Sequence, residues 1–201
     1  SYYMQPRSET SFNYMGYKLG ALNSIGEACI SSVFVDSKGW AWVGTDKDGL
    51  YCFDENKHLT YHYKDHFPGT VLTITEDLQG RVWIGTYREG CGWIDVPSLN
   101  YHPQSLPYGQ GLSIFDIVSD RKGHVWLGTM GQGLVRYDIT TSDIKAYTMA
   151  DNASVNRKVN SIANNYISQI ALSPDKKRIY VSTSMGVCAM DIKKEDWLST
   201  F

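Results

Sequence analysis

The sequence predicts an all-β fold, a run of four-stranded antiparallel β-propeller blades, and three observations carry that expectation. The stretch GRVWIGT at Gly80–Thr86 recurs as GWAWVGT at Gly39–Thr45 and GHVWLGT at Gly123–Thr129, with a blurred copy, KRIYVST, at Lys177–Thr183. The glycine before the closing threonine falls at Gly44, Gly85 and Gly128, 41 and 43 residues apart, and Ser182 holds that column 54 residues further on. A period of about 40 residues belongs to propeller blades rather than helical hairpins. Around each copy, short apolar runs alternate with turn residues, enough for four strands per period.

The elements follow in chain order. Tyr2–Met15 reads as half of an earlier repeat, and Gly16–Cys29 as a linker. The first full repeat spans about 30–63. Ile30–Val35 is its first strand, and Asp36-Ser37-Lys38-Gly39 is a turn in which Asp bonds backbone amides and Gly takes positive φ. Trp40–Thr45 is the second strand, Asp46-Lys47-Asp48-Gly49 the next turn, Leu50–Phe53 the third strand and His58–Tyr63 the fourth. The second, third and fourth repeats span about 71–102, 112–147 and 167–201. Each opens on an I-x-x-I spacing: Ile30/Val33, Val71/Ile74, Ile114/Ile117 and Ile167/Ile170. The segment Thr148–Tyr166 is the largest irregularity and reads as a surface loop or a short helical insertion.

Two half-blade strands and four blades make eighteen strands, more than a closed four-bladed ring holds. The chain is therefore expected to be part of a larger propeller, or an open arc that pairs with another copy. In Val82-Trp83-Ile84-Gly85-Thr86 both faces of the strand are apolar, so both must be covered by neighbouring sheets. Trp42, Trp83 and Trp126 are expected between blades, with Gly44, Gly85 and Gly128 leaving room for a ring or a backbone from next door.

Composition narrows the function. The 201 residues carry a net charge of −2, too small to argue for a nucleic-acid partner, and no apolar run is long enough to cross a membrane. The chain begins at Ser1 rather than Met and shows no leader pattern, so it reads as processed or excised. Cys29, Cys52, Cys91 and Cys188 occupy different repeat columns without ligand-like spacing, which reads as buried, unpaired thiols and no metal site. His58, His62 and His66 are spaced by four, but on and after a strand, where that spacing does not converge. No local catalytic motif occurs, so no catalytic residue and no cofactor is expected.

The unit I-x-x-I-x-x-D-x-x-G-x-x-W-x-G-T, followed by x-x-x-G-L, an aromatic residue and Asp, resembles the two-component regulator propeller repeat, strongly from about Ile30 to Tyr147. That family builds periplasmic sensor regions of hybrid histidine kinases, notably in gut Bacteroidetes. The resemblance implies a non-catalytic, periplasmic sensor segment that recognises an oligosaccharide or other small ligand and acts with a second copy or further blades. A propeller enzyme, cleaving glycosides or acting as a lyase, and a protein-binding scaffold of a secretion or assembly system are the alternatives. Ligand contact is expected at the loops between second and third strands, through Asp46, Lys47, Tyr87, Arg88, Glu89 and Gln132. Tyr108, Gln110, His66 and Asn164 are secondary candidates on the same rim.

Overall fold

The computed structural model describes Ile25 and residues 28–108, 111–149 and 161–200. The half repeat expected at 2–15, most of the linker 16–29 and the middle of the 148–166 segment lie outside them. Sixteen strands follow one another: β1 (Ile30–Val35), β2 (Ala41–Thr45), β3 (Leu50–Phe53), β4 (Leu59–Tyr63), β5 (Val71–Glu76), β6 (Val82–Thr86), β7 (Cys91–Asp95), β8 (Asn100–Gln104), β9 (Ile114–Ser119), β10 (His124–Thr129), β11 (Leu134–Asp138), β12 (Ile144–Tyr147), β13 (Ile167–Leu172), β14 (Arg178–Thr183), β15 (Gly186–Asp191) and β16 (Asp196–Thr200). They form four antiparallel four-stranded sheets, each in sequence order, as propeller blades do.

The I-x-x-I spacing that opens every repeat has a local cause. A regular strand returns to the same face every second residue, so a spacing of three requires an extra residue. Each first strand supplies one: its register shifts after Ile30, Val71, Ile114 and Ile167, which pair with Thr45, Thr86, Thr129 and Thr183. The bulge turns Val71 and Ile74 toward the first sheet, Ile114 and Ile117 toward the second, and Ile167 and Ile170 toward the third.

The turn between first and second strands is held by its aspartate. Asp36 Oδ1 accepts the amides of Lys38 and Trp40, both at 2.9 Å, and its Oδ2 accepts the Trp42 indole N–H at 3.0 Å. Asp77 repeats this with Gln79, Arg81 and the Trp83 indole, the last at 2.8 Å. In the third sheet His124 Nδ1 takes Asp120 Oδ2 at 2.7 Å, and the buried Trp126 Nε1 has no partner among the described residues. An unmade buried hydrogen bond costs about 1–3 kcal/mol. In the fourth sheet Ser173 replaces the aspartate, Tyr180 replaces the tryptophan, and Ser173 Oγ accepts the Arg178 amide.

The core lies between sheets. Trp42 packs with Val71, Ile74, Val82 and Ile84 of the second sheet, Trp83 with Ile114, Val125 and Leu127 of the third, and Trp126 with Ile167, Ile170, Ile179 and Val181 of the fourth. All three indoles are 0% exposed. The glycines beside them serve a different neighbour from the ring or backbone expected. A β-carbon at Gly44 would stand 2.6 Å from Val71 Cγ1, one at Gly85 2.9 Å from Ile114 Cγ2, and one at Gly128 2.8 Å from Ile167 Cγ2. Each glycine is thus a hollow for the β-branched residue that opens the next sheet. Burying each such side chain contributes about 1.5–3 kcal/mol.

Polar groups reinforce the joint where the first strands come together. Ser32 Oγ donates to Val71 O at 3.0 Å, the Ile117 amide donates to Thr73 Oγ1 at 3.2 Å, and the Ile170 amide donates to Asp116 Oδ2 at 2.7 Å. Buried Glu76 accepts from the Ser37 hydroxyl and from Arg121, clasping the first turns of the sheets on either side. At the open side of the first sheet, Ile30, Val33 and Val35 are exposed, while Ile25 packs with Val43, Tyr51 and Phe53.

Two measurements test this packing. Gly85→Ala drives a methyl group into Ile114 of the next sheet and Thr73 of its own, and is expected to cost about 1–3 kcal/mol in urea unfolding. Burial raises the Asp116 carboxyl above its ordinary 3.8, outweighing the amides that hydrogen-bond to it. A carboxyl raised on folding stabilises the folded state fully below its unfolded value and loses that contribution as pH climbs through the folded value. The stability of Asp116→Asn relative to the parent chain should therefore improve as pH rises from about 4. A pH-independent offset in the urea midpoints would contradict this.

Candidate functional site

The loops joining second and third strands form one rim, and a threonine builds each. Thr45, Thr86 and Thr129 donate their hydroxyls to the carbonyls of Gly49, Gly90 and Gly133 at 2.7, 2.8 and 2.7 Å. Thr183 does the same with Gly186 at 2.8 Å. The residue after the threonine then ties the loop to the linker entering a sheet: the Asp46, Tyr87 and Met130 amides donate to the carbonyls of Cys29, Thr70 and Ser113. Loops and linkers therefore share a face. Two residues past the threonine the chain turns left-handed, at Lys47 (φ 79°), Arg88 (φ 67°) and Gly131 (φ 105°). Lys47 and Arg88 hold that conformation without glycine's freedom, at about 1–2 kcal/mol each.

The six candidate residues lie on this rim but have different duties. Asp46 Oδ1 accepts the Thr70 hydroxyl at 2.8 Å, so its carboxylate fastens the linker. The exposed Lys47 stands beside Asp48, whose carboxylate takes the Tyr51 hydroxyl and Lys64 Nζ and is held below the usual carboxylate range, chiefly by that hydroxyl. Tyr87 is exposed, with the Arg88 guanidinium 5.1 Å from its ring centre. Arg88 forms no ion pair among the described residues. The Glu89 carboxylate lies against Gly69, 3.1 Å from where a β-carbon would be. The Gln132 amide donates to Thr129 Oγ1 at 3.0 Å, inside its own loop.

Arg88 and Glu89 line a cleft of about 640 Å³, with Gly90 and Cys91 on the same loop, Pro103–Leu106 at the end of β8, and Gly111 and Leu112 on the linker to the third sheet. Asp46, Lys47, Tyr87 and Gln132 stand outside it. Cys91, Gln104 and Leu112 escaped the sequence reading because each looks like an ordinary repeat or linker residue. The signal was present in two columns: Leu50 and Leu134 correspond to Cys91, and Tyr63 and Tyr147 to Gln104.

Of the secondary candidates, Tyr108 packs against the core of the second and third sheets and burial raises its phenol; Gln110 lies outside the described residues. His66 meets Tyr63 and Tyr101 edge-on, and Asn164 Oδ1 accepts the Tyr166 amide. His62 Nε2 lies 2.7 Å from Asp48 O and His58 Nδ1 3.5 Å from Asp54, so the spaced histidines do not converge. No group of three or more metal-ligating side chains occurs among the described residues. The rim also carries exposed apolar side chains: Tyr87, Met130, Tyr166 and Met185.

The thiols divide, against the reading of all four as buried. Cys52, Cys91 and Cys188 are buried, whereas Cys29 is exposed because it sits in the linker carbonyl row outside the sheets. Burial pushes the Cys52 and Cys91 thiols up to about 12. Alkylation of the folded protein near neutral pH is expected to label Cys29 alone, with the other three reacting only after unfolding, as peptide mass spectrometry would show.

Comparison with known proteins places these features. Residues 108–131 match the family model of the two component regulator propeller. No curated protein sequence matches the chain. Among solved structures, the extracellular domain described as that of a hybrid two component system from B. thetaiotaomicron aligns with a TM-score of 0.70 at 22% identity, over 88% of this chain and 22% of that one. Another B. thetaiotaomicron extracellular domain, described as belonging to a one component system, gives 0.65 at 19% identity over 87% of this chain and 22% of its own. PorZ, a surface component of the type-IX secretion system of Porphyromonas gingivalis, gives 0.61 at 20% identity over 81% and 26%. The chain thus spans about a fifth to a quarter of these proteins, and at such identities the likeness is one of fold.

Proposed function

We propose that this chain, which carries the two component regulator propeller repeat, is a non-catalytic segment of a periplasmic sensor in a signalling protein of the hybrid histidine kinase type. The observation that carries the reading is the family match over residues 108–131, centred on the linker and first strands of the third sheet. The fold shared with extracellular domains of one component and hybrid two component systems supports it. A ligand, an oligosaccharide by this reading, meets the rim of loops between second and third strands, where Lys47 and Arg88 stand exposed. Many acidic groups of the kind a hydrolytic reaction uses are engaged in structure: Asp46 with Thr70, Asp48 with Tyr51 and Lys64, Glu76 with Ser37 and Arg121. Further blades or a second copy cover the exposed Ile30, Val33 and Val35 face.

A protein-binding scaffold is the second reading, favoured by the exposed Tyr87, Met130, Tyr166 and Met185 on the same rim. Calorimetric titration against neutral and acidic oligosaccharides, run beside a product assay, separates the readings. Saturable binding of a glycan without turnover is the expected result. Turnover of a sugar substrate would overturn the sensor in favour of an enzyme, and failure of every glycan would favour the scaffold.

A further inference from the structure

The second sheet departs from its neighbours at one place, and the departure makes the cleft. In the first and third sheets, the strand entering from the rim begins with leucine, paired across to a tyrosine that ends the fourth strand: Leu50 with Tyr63 and Leu134 with Tyr147. Both leucines are fully buried and both tyrosines nearly so, with their rings near Trp42 and Trp126. The fourth strand closes tightly over the loop glycine there: a β-carbon at Gly49 would stand 2.5 Å from Tyr63 O, and one at Gly133 would strike Tyr147 O. In the second sheet the same pair is Cys91 with Gln104, and Trp83 is covered instead by Tyr137 of the third sheet, 5.1 Å away. Among the described residues nothing comes within 4 Å of where a β-carbon would stand at Gly90, or at Gly111 across the cleft. Two smaller or retracted side chains have removed the plug that fills the other sheets.

The walls differ in chemistry. Cys91, Pro103, Leu106 and Leu112 give an apolar floor suited to the C–H face of a sugar ring. Gln104 Nε2 donates to Ser105 O at 3.0 Å, which leaves its amide oxygen as an acceptor. Arg88 reaches the mouth with no carboxylate partner among the described residues, and guanidinium groups bind carboxylates through two parallel hydrogen bonds. The volume of about 640 Å³ falls within the range of small-molecule sites, about 300–1,000 Å³.

We infer that this cleft is a pocket for a saccharide of one or two rings bearing a carboxylate, held by Arg88 at the mouth and by the floor of Cys91, Leu106 and Leu112. The inference rests on the sugar-sensing reading above and narrows its ligand and its place. Calorimetric titration of the chain with digalacturonate and with the neutral galactobiose tests it. Digalacturonate should bind saturably and the neutral disaccharide at least tenfold more weakly. Arg88→Gln should remove that preference. Cys91→Leu combined with Gln104→Tyr restores the pair found in the first and third sheets, so it should fold normally by circular dichroism and abolish binding. The inference is overturned if digalacturonate does not bind, or if it binds and the refilled variant binds it equally well. Should a neutral glycan bind and respond to Lys47 or Gln132 substitutions instead, the cleft is refuted while the sensor reading stands. If carboxylate-bearing peptides bind and uronates do not, the saccharide assignment falls.

Discussion

The contact on which this structure depends is small: a β-branched side chain from one sheet seated in a hollow left by glycine in the sheet before it. Val71 on Gly44, Ile114 on Gly85 and Ile167 on Gly128 are the same joint made three times. A sheet with two apolar faces has no stable existence alone, and the joint fixes how neighbours approach. It also explains why each first strand carries a bulge, since only an extra residue lets two branched side chains three apart meet the same neighbour. Indoles fill the rest of the interface, and Asp36 and Asp77 hold two of them by hydrogen bonds from the turn.

Regularity in the frame leaves variation to the edges. The same threonine hydrogen bond shapes all four loops, so residues after it can change without disturbing the sheet. Asp46 uses that freedom to fasten a linker, while Arg88 faces a cleft. The cleft arises from the same economy: one altered cross-strand pair, Cys91 with Gln104, opens space, and Tyr137 of the next sheet keeps Trp83 buried.

The four strands of each full repeat, their order and the burial of the indoles were legible because the repeat states them several times over. The bulge was written in the I-x-x-I spacing, at odds with a two-residue alternation, although reading the segment as a plain strand passes over it. The partner of each glycine was not legible, because nothing in a single strand says whether a ring, a backbone or a branched side chain fills a vacancy. The rim was legible from strand direction, but the duty of each residue on it was not. Asp46 and Arg88 look equally available in sequence, and only the position of Thr70 shows that one is committed. Cys91 and Gln104 were visible as departures from two columns, yet their meaning depends on their lying opposite one another.

The fourth sheet carries serine where the others carry glycine, and Ser168 Oγ lies 3.2 Å from Ser182 Oγ. A joint with distinct male and female sides has a polarity, and a polar joint repeated between molecules grows without end unless its rotation closes. Ser182 carries a β-carbon, so the fourth sheet lacks the hollow that forms the receiving side of the joint at Gly44, Gly85 and Gly128.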